Sequence, residues 1–316
     1  MEDINNTLIN IMTTDVIVGC GTNPKRPVDG EACKGLAKKG GLSLVLPIIS
    51  AWNEAASIGK IYIVGPKKRL EDEISPQLGG IEKFVFVDEA CQGDADALID
   101  NIVKVVQNYK LTPFAVFSSC DMTLFSKEKA EKIISDIKDA MTKDYSSRNN
   151  RTDTSGFADL YFTIGMAEED NKYYARKVDR PGAVFSKNEM YRFGSVHMFD
   201  TIRCPFRSNE LKHLLKRRKV KDQQRELLFD CWDALGDGLP WFVPTANRIV
   251  VLKAISNYYK HYKKDIPVIP YFKVSFERVE RAAYAVSGLH VTLVKTIGTD
   301  DIDNNEEFRA ACQKKY

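Results

Sequence analysis

Residues 16–47 read VIVGCGTNPKRPVDGEACKGLAKKGGLSLVLP, and this stretch predicts how the fold begins. The apolar run Val16–Val18 is typical of a short buried strand, and the next apolar periodicity starts only near Leu42. The loop between them is rich in glycine and basic residues, namely Gly19, Gly21, Gly30, Gly35, Gly40, Gly41, Lys25, Arg26, Lys34, Lys38 and Lys39. Glycines let backbone N–H groups approach an anion, and lysine or arginine neutralises its charge. The stretch therefore predicts a phosphate-binding loop, the alternative being a surface loop of similar composition.

Strand-like and helix-like segments alternate after this loop. Apolar residues recur at helical spacing over 42–58, and Pro47 predicts that the helix starts at or just before it. Strands are predicted over 60–64, 84–87, 114–117, 159–165, 173–178, 195–199 and 291–294, and helices over 94–109, 126–141, 275–287 and 306–313. The alternation predicts an α/β fold with a doubly wound, mostly parallel sheet. Ligands of such sheets bind at the carboxyl ends of the strands.

The domain organisation follows from length and pattern. We expect residues 1–316 to form a single domain, because one large α/β domain accommodates this length. From about 205 to 265 the pattern is largely helical, which predicts a helical insertion in the second half. Basic runs at 212–221 and 258–264 lie in this insertion and could contact RNA, lipid headgroups or a phosphorylated substrate, although such runs are more often solvated helix faces.

Composition excludes several classes of protein. The formal net charge of +3 is too small to indicate a nucleic-acid or membrane-surface binder. The longest nearly apolar run, 42–52, is shorter than the roughly 20 residues that span a bilayer. The first 14 residues lack the basic start and apolar centre of a secretion signal.

The cysteines and histidines also bear on the compartment. The seven cysteines are scattered, without a Cys-x-x-Cys pair, and the four histidines form no His-Glu-x-x-His pattern. This argues against a disulfide framework and against zinc. We expect reduced thiols in a cytoplasmic protein.

Acidic residues occur at two informative places. Asp121 directly follows a predicted buried strand, where a carboxylate can hold Mg²⁺ that in turn bridges phosphate oxygens. Asp301 and Asp303 lie two residues apart near the C-terminal end of the sequence, and either could reach the same ion. The alternatives are a turn-capping role for Asp121 and capping of the following helix by the C-terminal acids.

Several of these segments, in order, resemble motifs of the MobA-like nucleotidyltransferases, which include sugar-nucleotide pyrophosphorylases and cytidylyltransferases. The segment Gly19-Cys20-Gly21-Thr22 resembles the family's Gly-x-Gly-Thr-Arg signature, with Arg26 close enough to replace the arginine. Lys34-Gly35-Leu36 and Gly40-Gly41 resemble its Lys-Ala-Leu and Gly-Gly-Lys-Pro segments. The resemblance implies a GT-A, nucleotide-diphospho-sugar transferase-like fold and a triphosphate held by this loop and by Lys34.

The remaining motifs continue the resemblance to the end of the chain. Residues 117–124, with Asp121, are similar to the Gly-Asp-x-Pro-Leu segment whose aspartate binds the catalytic magnesium. Gly93 and Asn101 resemble the glycine and asparagine that open the nucleotide-side helix. Residues 192–200 resemble the Gly-Gly-Asn turn that leads to Phe-Asp, and residues 301–308 resemble the closing Asp-x-Asp motif, which supplies the second metal carboxylate.

What the resemblance implies is transfer of a nucleoside monophosphate from a nucleoside triphosphate to a phosphorylated, sugar-like acceptor, with release of pyrophosphate. It assigns Lys34 and Asp121 to catalysis. Magnesium would be held by Asp121 with Asp301 or Asp303. The nucleotide-binding residues would be Gly19, Cys20, Gly21, Thr22, Arg26, Gly93 and Asn101.

Three other functions stay open at this stage. A dinucleotide-binding dehydrogenase is disfavoured because Pro24 breaks the Gly-x-Gly-x-x-Gly pattern. A GT-A-type glycosyltransferase would normally carry Asp-x-Asp at the strand end, where this chain has Asp121-Met122-Thr123. The third open function is a protein that only binds nucleotide or a partner protein. It stays open because Asn23 and Leu42 stand where the MobA-like motifs have arginine and lysine.

Overall fold

The computed structural model describes residues 13–78, 82–93, 95–148, 157–166, 184–186, 189–206, 208, 209, 212, 276–302, 305, 308, 309 and 312. The predicted strand over 173–178, nearly all of the predicted insertion over about 205–265 and Asp303 lie outside these residues. The predicted helix over 306–313 is described only at 308, 309 and 312.

Twelve strands and six α-helices are described. The strands are β1 (Thr14–Gly19), β2 (Lys38–Lys39), β3 (Leu42–Ser43), β4 (Ile58–Gly65), β5 (Phe84–Asp88), β6 (Phe114–Ser119), β7 (Met122–Thr123), β8 (Leu160–Met166), β9 (Val184–Ser186), β10 (Glu189–Asp200), β11 (Val291–Thr296) and β12 (Asp300–Asp301). The helices are α1 (Val45–Glu54), α2 (Lys67–Ile74), α3 (Ala95–Asn108), α4 (Lys127–Arg148), α5 (Arg203–Phe206) and α6 (Phe276–Ser287). Short 3₁₀ helices cover Lys34–Leu36 and Ser75–Gln77.

The main sheet has the strand order β11–β8–β10–β6–β1–β4–β5, and β9 pairs with β10. Along this order, β10 is antiparallel to β6 and β8, and the other neighbouring pairs are parallel. The prediction of a doubly wound, mostly parallel α/β sheet is therefore confirmed.

Alternating side chains of the central strands explain why helices cover both faces. Val16 and Val18 pack in one core cluster with α1 and α4, whereas Ile17 lies in a second cluster with residues of α3. Successive strand residues point to opposite faces, so a continuously apolar strand needs cover on both. In β4, Ile61 and Tyr62 divide between the two clusters in the same way.

The structure corrects several predicted boundaries. Helix α1 starts just before Pro47, as predicted, but ends at Glu54 instead of residue 58. Helix α4 runs on to Arg148, and β10 starts at Glu189, well before residue 195. The segment over 67–74 was not predicted to be helical, because its pattern has only Leu70 and Ile74 to bury.

No helix in the described part of the chain combines the length and the apolar content needed to cross a bilayer.

Candidate active site

A cleft of about 150 Å³ opens where β1 and β6 end side by side. Strands β1 and β6 are parallel and pair Gly19 with Ser119, so the loops that follow them leave the sheet at one edge. Predicted site residues that line the cleft are Gly19, Gly21, Lys34, Gly93, Asn101 and Asp121. The other lining residues are Ile17, Asn23, Val64, Ala97, Leu98, Ile102, Phe117, Ser119 and Cys120. The cleft thus has an apolar wall and one charged end.

Lys34 and Asp121 form the charged end. Lys34 Nζ lies 3.2 Å from Asp121 Oδ2 and donates a hydrogen bond of 3.0 Å to the carbonyl oxygen of Ile302. The Asp121 side chain is 8% exposed and that of Lys34 is 20% exposed. The pair is therefore largely screened from water, which strengthens its attraction.

The short 3₁₀ helix Lys34–Leu36 sets the position of Lys34. A Cβ on Gly35 would lie 3.1 Å from Cys20 Sγ and 3.3 Å from Cys120 Cβ. Glycine at this position lets the turn lie directly against the ends of β1 and β6, which brings Lys34 within reach of Asp121.

Asp121 is held by both its side chain and its backbone. Ser119 Oγ donates a hydrogen bond to Asp121 Oδ1. The Ile302 N–H donates to the Asp121 carbonyl at 3.0 Å. In the short antiparallel ladder of β7 with β12, Asp301 pairs with Met122. The backbone of Asp301 therefore lies one ladder position from Asp121, although the two residues are 180 positions apart in the chain.

The oxygen ligands at this end fit magnesium. Among the residues that the structure describes, no three Asp, Glu, His or Cys side chains come together as a complete metal site. Mg²⁺ usually takes only one or two carboxylates and completes its shell with water and substrate phosphates. The buried Asp121 carboxylate at the cleft supplies one such ligand, and the backbone of Asp301 lies one ladder position away. Asp303, the other predicted ligand, lies outside the described residues.

A separate apolar cluster joins the Gly- and Lys-rich loop to the C-terminal segment. It contains Val28, Ala37 and Leu44 from the loop and Ile302 and Phe308 from the C-terminal segment. At its edge, the N–H of Asp29 donates to Asn305 Oδ1 at 2.7 Å. The cluster fixes residues 300–302 against the loop, which explains why Ile302 is available to both Lys34 and Asp121.

Thr22 and Gly93 are bound to each other through the backbone. The N–H of Gly93, whose φ of 125° favours glycine, donates to the Thr22 carbonyl at 2.9 Å. The N–H of Thr22 donates to Glu89 Oε2 at 2.7 Å. This amide of the predicted phosphate loop is therefore engaged by a carboxylate.

Asn101 is buried and stabilises the loop that follows β5. Its Oδ1 accepts a hydrogen bond of 2.5 Å from the N–H of Ala90. Its amide nitrogen would lie 3.5 Å from a Cβ built on Gly21. Asn101 thus holds the 89–93 loop while its NH₂ group is directed toward the glycine loop.

Glu89 was not identified from the sequence, although a signal was present. It follows the buried strand β5 at the carboxyl edge of the sheet, as Asp121 follows β6. Glu89 therefore has the same sequence signal as Asp121, an acid directly after a buried strand.

Three predicted nucleotide-binding residues, Cys20, Thr22 and Arg26, do not line the cleft. Arg26 is exposed on the loop, and its N–H donates to the Asn23 carbonyl at 3.1 Å. Asn23, which stands where the family has arginine, does line the cleft. The Cys20 side chain is fully buried in the core beneath the loop.

Burial also controls the chemistry of the thiols below the loop. Burial, followed by a hydrogen bond with Cys120, raises the pKa of Cys20 well above its ordinary value. Burial likewise raises the pKa of Cys33, whose thiol donates to the Cys20 carbonyl at 3.0 Å. Since the thiolate is the nucleophile, these thiols are structural and unreactive.

Iodoacetamide labelling at pH 8 tests this assignment. We expect the exposed Cys312 to be alkylated in the native protein, the exposed Cys91 more slowly because desolvation of its thiol raises its pKa, and Cys20 and Cys33 only after unfolding in urea. Peptide mass spectrometry of native and unfolded samples measures each site. Native labelling of Cys20 at the rate of Cys91 would contradict the assignment.

A surface ion pair fastens the loop to α2. Arg69 binds Glu31 through both guanidinium nitrogens, at 3.1 and 2.8 Å. This hydrogen-bonded pair lowers the pKa of Glu31 below its ordinary value of 4.5. Glu31 Oε1 also accepts a hydrogen bond of 3.0 Å from the N–H of Cys33, next to Lys34.

Glu31→Gln should therefore cost stability in a pH-dependent way. A carboxylate with a lowered folded-state pKa stabilises the fold above its unfolded pKa, and this contribution is lost as pH falls through the folded value. We expect the difference in unfolding free energy between wild type and variant to be constant near pH 7 and to shrink below about pH 4.5. Urea unfolding between pH 7 and pH 3 measures it, with the exposed Glu82→Gln as control. A difference that grows on acidification would contradict the assignment.

The sequence matches no protein-family model, and no curated protein matches it significantly. Solved structures do resemble the chain in fold. A CMP:2-keto-3-deoxy-manno-octonic acid synthetase complexed with CTP is 9% identical, with a TM-score of 0.48 over 95% of this chain and 97% of its own. A 4-diphosphocytidyl-2C-methyl-D-erythritol synthase from Anaerococcus prevotii is 10% identical, with a TM-score of 0.46 over 97% of both chains. HddC from Yersinia pseudotuberculosis is 12% identical, with a TM-score of 0.46 over 95% and 99%. The fold assignment stands on the strand order described above.

Proposed function

We propose that the protein is a magnesium-dependent nucleotidyltransferase. It transfers a nucleoside monophosphate from a nucleoside triphosphate to a phosphorylated, sugar-like acceptor and releases pyrophosphate. The observation that carries the proposal is the convergence of Lys34, Asp121 and the glycine loop in one cleft at the carboxyl ends of β1 and β6. The order of the family-like motifs along the chain supports the same reaction.

The two ends of the cleft suit the two parts of a nucleotide. Leu98, Ile102, Phe117 and Val64 form an apolar wall on which a base can lie. Lys34 lies at the other end, where its ammonium suits phosphate oxygens. The triphosphate then lies toward Asp121 and the nucleoside toward α3.

The reaction needs positioning and charge stabilisation rather than a covalent enzyme intermediate. An oxygen of the acceptor phosphate attacks the α-phosphorus, the bond from that phosphorus to the bridging oxygen breaks, and pyrophosphate leaves. Lys34 stabilises negative charge on the phosphates during this exchange.

Asp121 and Asp301 are the residues that would hold magnesium. A bound ion would supply charge neutralisation at the phosphates. The chain's own part is to orient the Asp121 carboxylate, which the hydrogen bond from Ser119 and the pairing with Lys34 do.

The structure bears on the other candidate functions. The antiparallel β10 departs from the all-parallel sheet of a dinucleotide-binding dehydrogenase. For a glycosyltransferase, the residue after Asp121 is the buried Met122, and the second acidic position comes from β12 instead of the same strand end. Neither alternative draws support from a particular contact.

Pyrophosphate release tests the proposal. The protein is incubated with ATP, CTP, GTP or UTP, Mg²⁺ and a panel of sugar phosphates, after thermal-shift screening identifies the triphosphate that stabilises it. We expect acceptor-dependent pyrophosphate release with one triphosphate. Release of a nucleoside diphosphate from a sugar nucleotide would favour a glycosyltransferase. Magnesium-dependent triphosphate binding without turnover with any acceptor would favour a binding protein.

A further inference from the structure

The Lys34 ammonium is bound by oxygen atoms of the kind that a divalent cation takes. Lys34 Nζ lies 3.2 Å from a carboxylate oxygen of Asp121 and 3.0 Å from the carbonyl oxygen of Ile302. Carboxylate and carbonyl oxygens are typical ligands of hard cations. The same Asp121 is the residue that the proposed function assigns to magnesium.

We propose that Lys34 is a built-in counter-cation of Asp121. A divalent cation must displace Lys34 in order to bind this carboxylate, and the triphosphate is the ligand that draws Lys34 away. The inference rests on the proposed function for the identity of the triphosphate. Its consequence is that divalent cation and triphosphate bind cooperatively, with weak binding of the cation alone.

The burial of the pair makes displacement necessary. The Asp121 side chain is 8% exposed, so solvent screens its charge poorly. Asp121 Oδ1 already accepts from Ser119, and Oδ2 is paired with Lys34. A divalent cation that arrives alone meets an occupied carboxylate and an ammonium of like charge at close range.

A triphosphate removes this obstacle. Its oxygens bind an ammonium through charge-assisted hydrogen bonds, so Lys34 can exchange Asp121 for phosphate without losing a partner. The carboxylate is then open to the cation that accompanies the triphosphate. Lys34 lowers the affinity of the free protein for the cation, and this loss of affinity is removed when the triphosphate binds Lys34. By linkage, the cation then raises the affinity for the triphosphate by the same factor.

Removal of the Lys34 charge should therefore strengthen cation binding in the absence of nucleotide. We expect Lys34→Gln to bind Mn²⁺ alone about 5- to 150-fold more tightly than wild type, which is the usual range of coupling between sites. Titration calorimetry and the electron paramagnetic resonance signal of free Mn²⁺ measure this without any turnover. Lys34→Met is the second charge-removing variant, and circular dichroism checks the fold of each protein.

Matched controls separate displacement from net charge. Lys110→Gln removes one exposed positive charge elsewhere and should leave Mn²⁺ affinity unchanged. Lys34→Gln combined with Asp121→Asn should lose the gain. In wild type, saturating Mn²⁺ should increase reductive methylation of Lys34 relative to Lys110, measured by peptide mass spectrometry, because the displaced amine becomes accessible.

The proposal would be overturned by unchanged or weaker Mn²⁺ binding in Lys34→Gln, by equal tightening in Lys110→Gln, or by unaltered Lys34 methylation. Its failure is distinguishable from failure of the proposed function. If wild type releases pyrophosphate but Lys34→Gln does not bind Mn²⁺ more tightly, only the counter-cation role is excluded. If Lys34→Gln binds Mn²⁺ more tightly but wild type releases no pyrophosphate with any triphosphate and acceptor, the counter-cation role is supported and the enzymatic function is excluded.

Discussion

Asp121→Asn is expected to lower acceptor-dependent pyrophosphate release by about a hundred- to a thousandfold, the cost of removing one electrostatic group from a preorganised site. The amide keeps the size of the side chain but loses the charge that pairs with Lys34 and would bind magnesium. Initial rates at saturating triphosphate, with Mg²⁺ varied over a wide range, measure the effect. We expect more Mg²⁺ to restore little of the loss.

The exposed Asp139→Asn in α4 is the matched control and should retain the wild-type rate. Circular dichroism and thermal unfolding of both variants separate loss of chemistry from loss of fold. A rate for Asp121→Asn within about threefold of wild type would exclude Asp121 from the catalytic centre, because a threefold change corresponds to less than about 1 kcal/mol of activation free energy.

Trp52→Ala is expected to cause the largest loss of stability, about 3–5 kcal/mol. The Trp52 side chain is fully buried between α1 and the sheet, and its ring centroid lies 5.1 Å from that of Phe125. Its Nε1 donates to Ser118 Oγ at 2.9 Å. The substitution opens a cavity and also leaves the buried Ser118 hydroxyl without this donor.

Urea unfolding followed by circular dichroism measures the change without relying on tryptophan fluorescence. Glu54→Ala, at the exposed end of the same helix, should change the unfolding free energy by less than about 0.5 kcal/mol. A loss below about 1 kcal/mol for Trp52→Ala would show that the core closes around the missing ring.

The central sheet could be predicted because its strands are continuously apolar and alternate with amphipathic helices. That pattern placed β1, β4, β5 and β6, and the rule that ligands bind at carboxyl ends placed Asp121 beside the glycine loop. Helix α2 escaped prediction, since a charged helix that buries only Leu70 and Ile74 has little periodicity to detect.

The rest of the site depends on contacts between distant parts of the chain. The ladder of β7 with β12 joins two-residue strands, which are too short to produce a sequence pattern. Arg26 is exposed and Cys20 lies in the core. These placements depend on how the loop packs over the sheet. Glycine and lysine content predicted the loop but could not predict which of its side chains enter the cleft.

The packing of the C-terminal segment on the loop has a consequence for biosynthesis. Lys34 is separated from Ile302 by 268 positions, and Asp29 from Asn305 by 276. A ribosome that adds 5–20 residues each second takes roughly 10 to 50 s to cover that interval. During that time the growing chain holds a glycine loop without its C-terminal partner, so the contacts of Lys34 and Asp29 with residues 302 and 305 form late in synthesis, after most of the sheet has emerged.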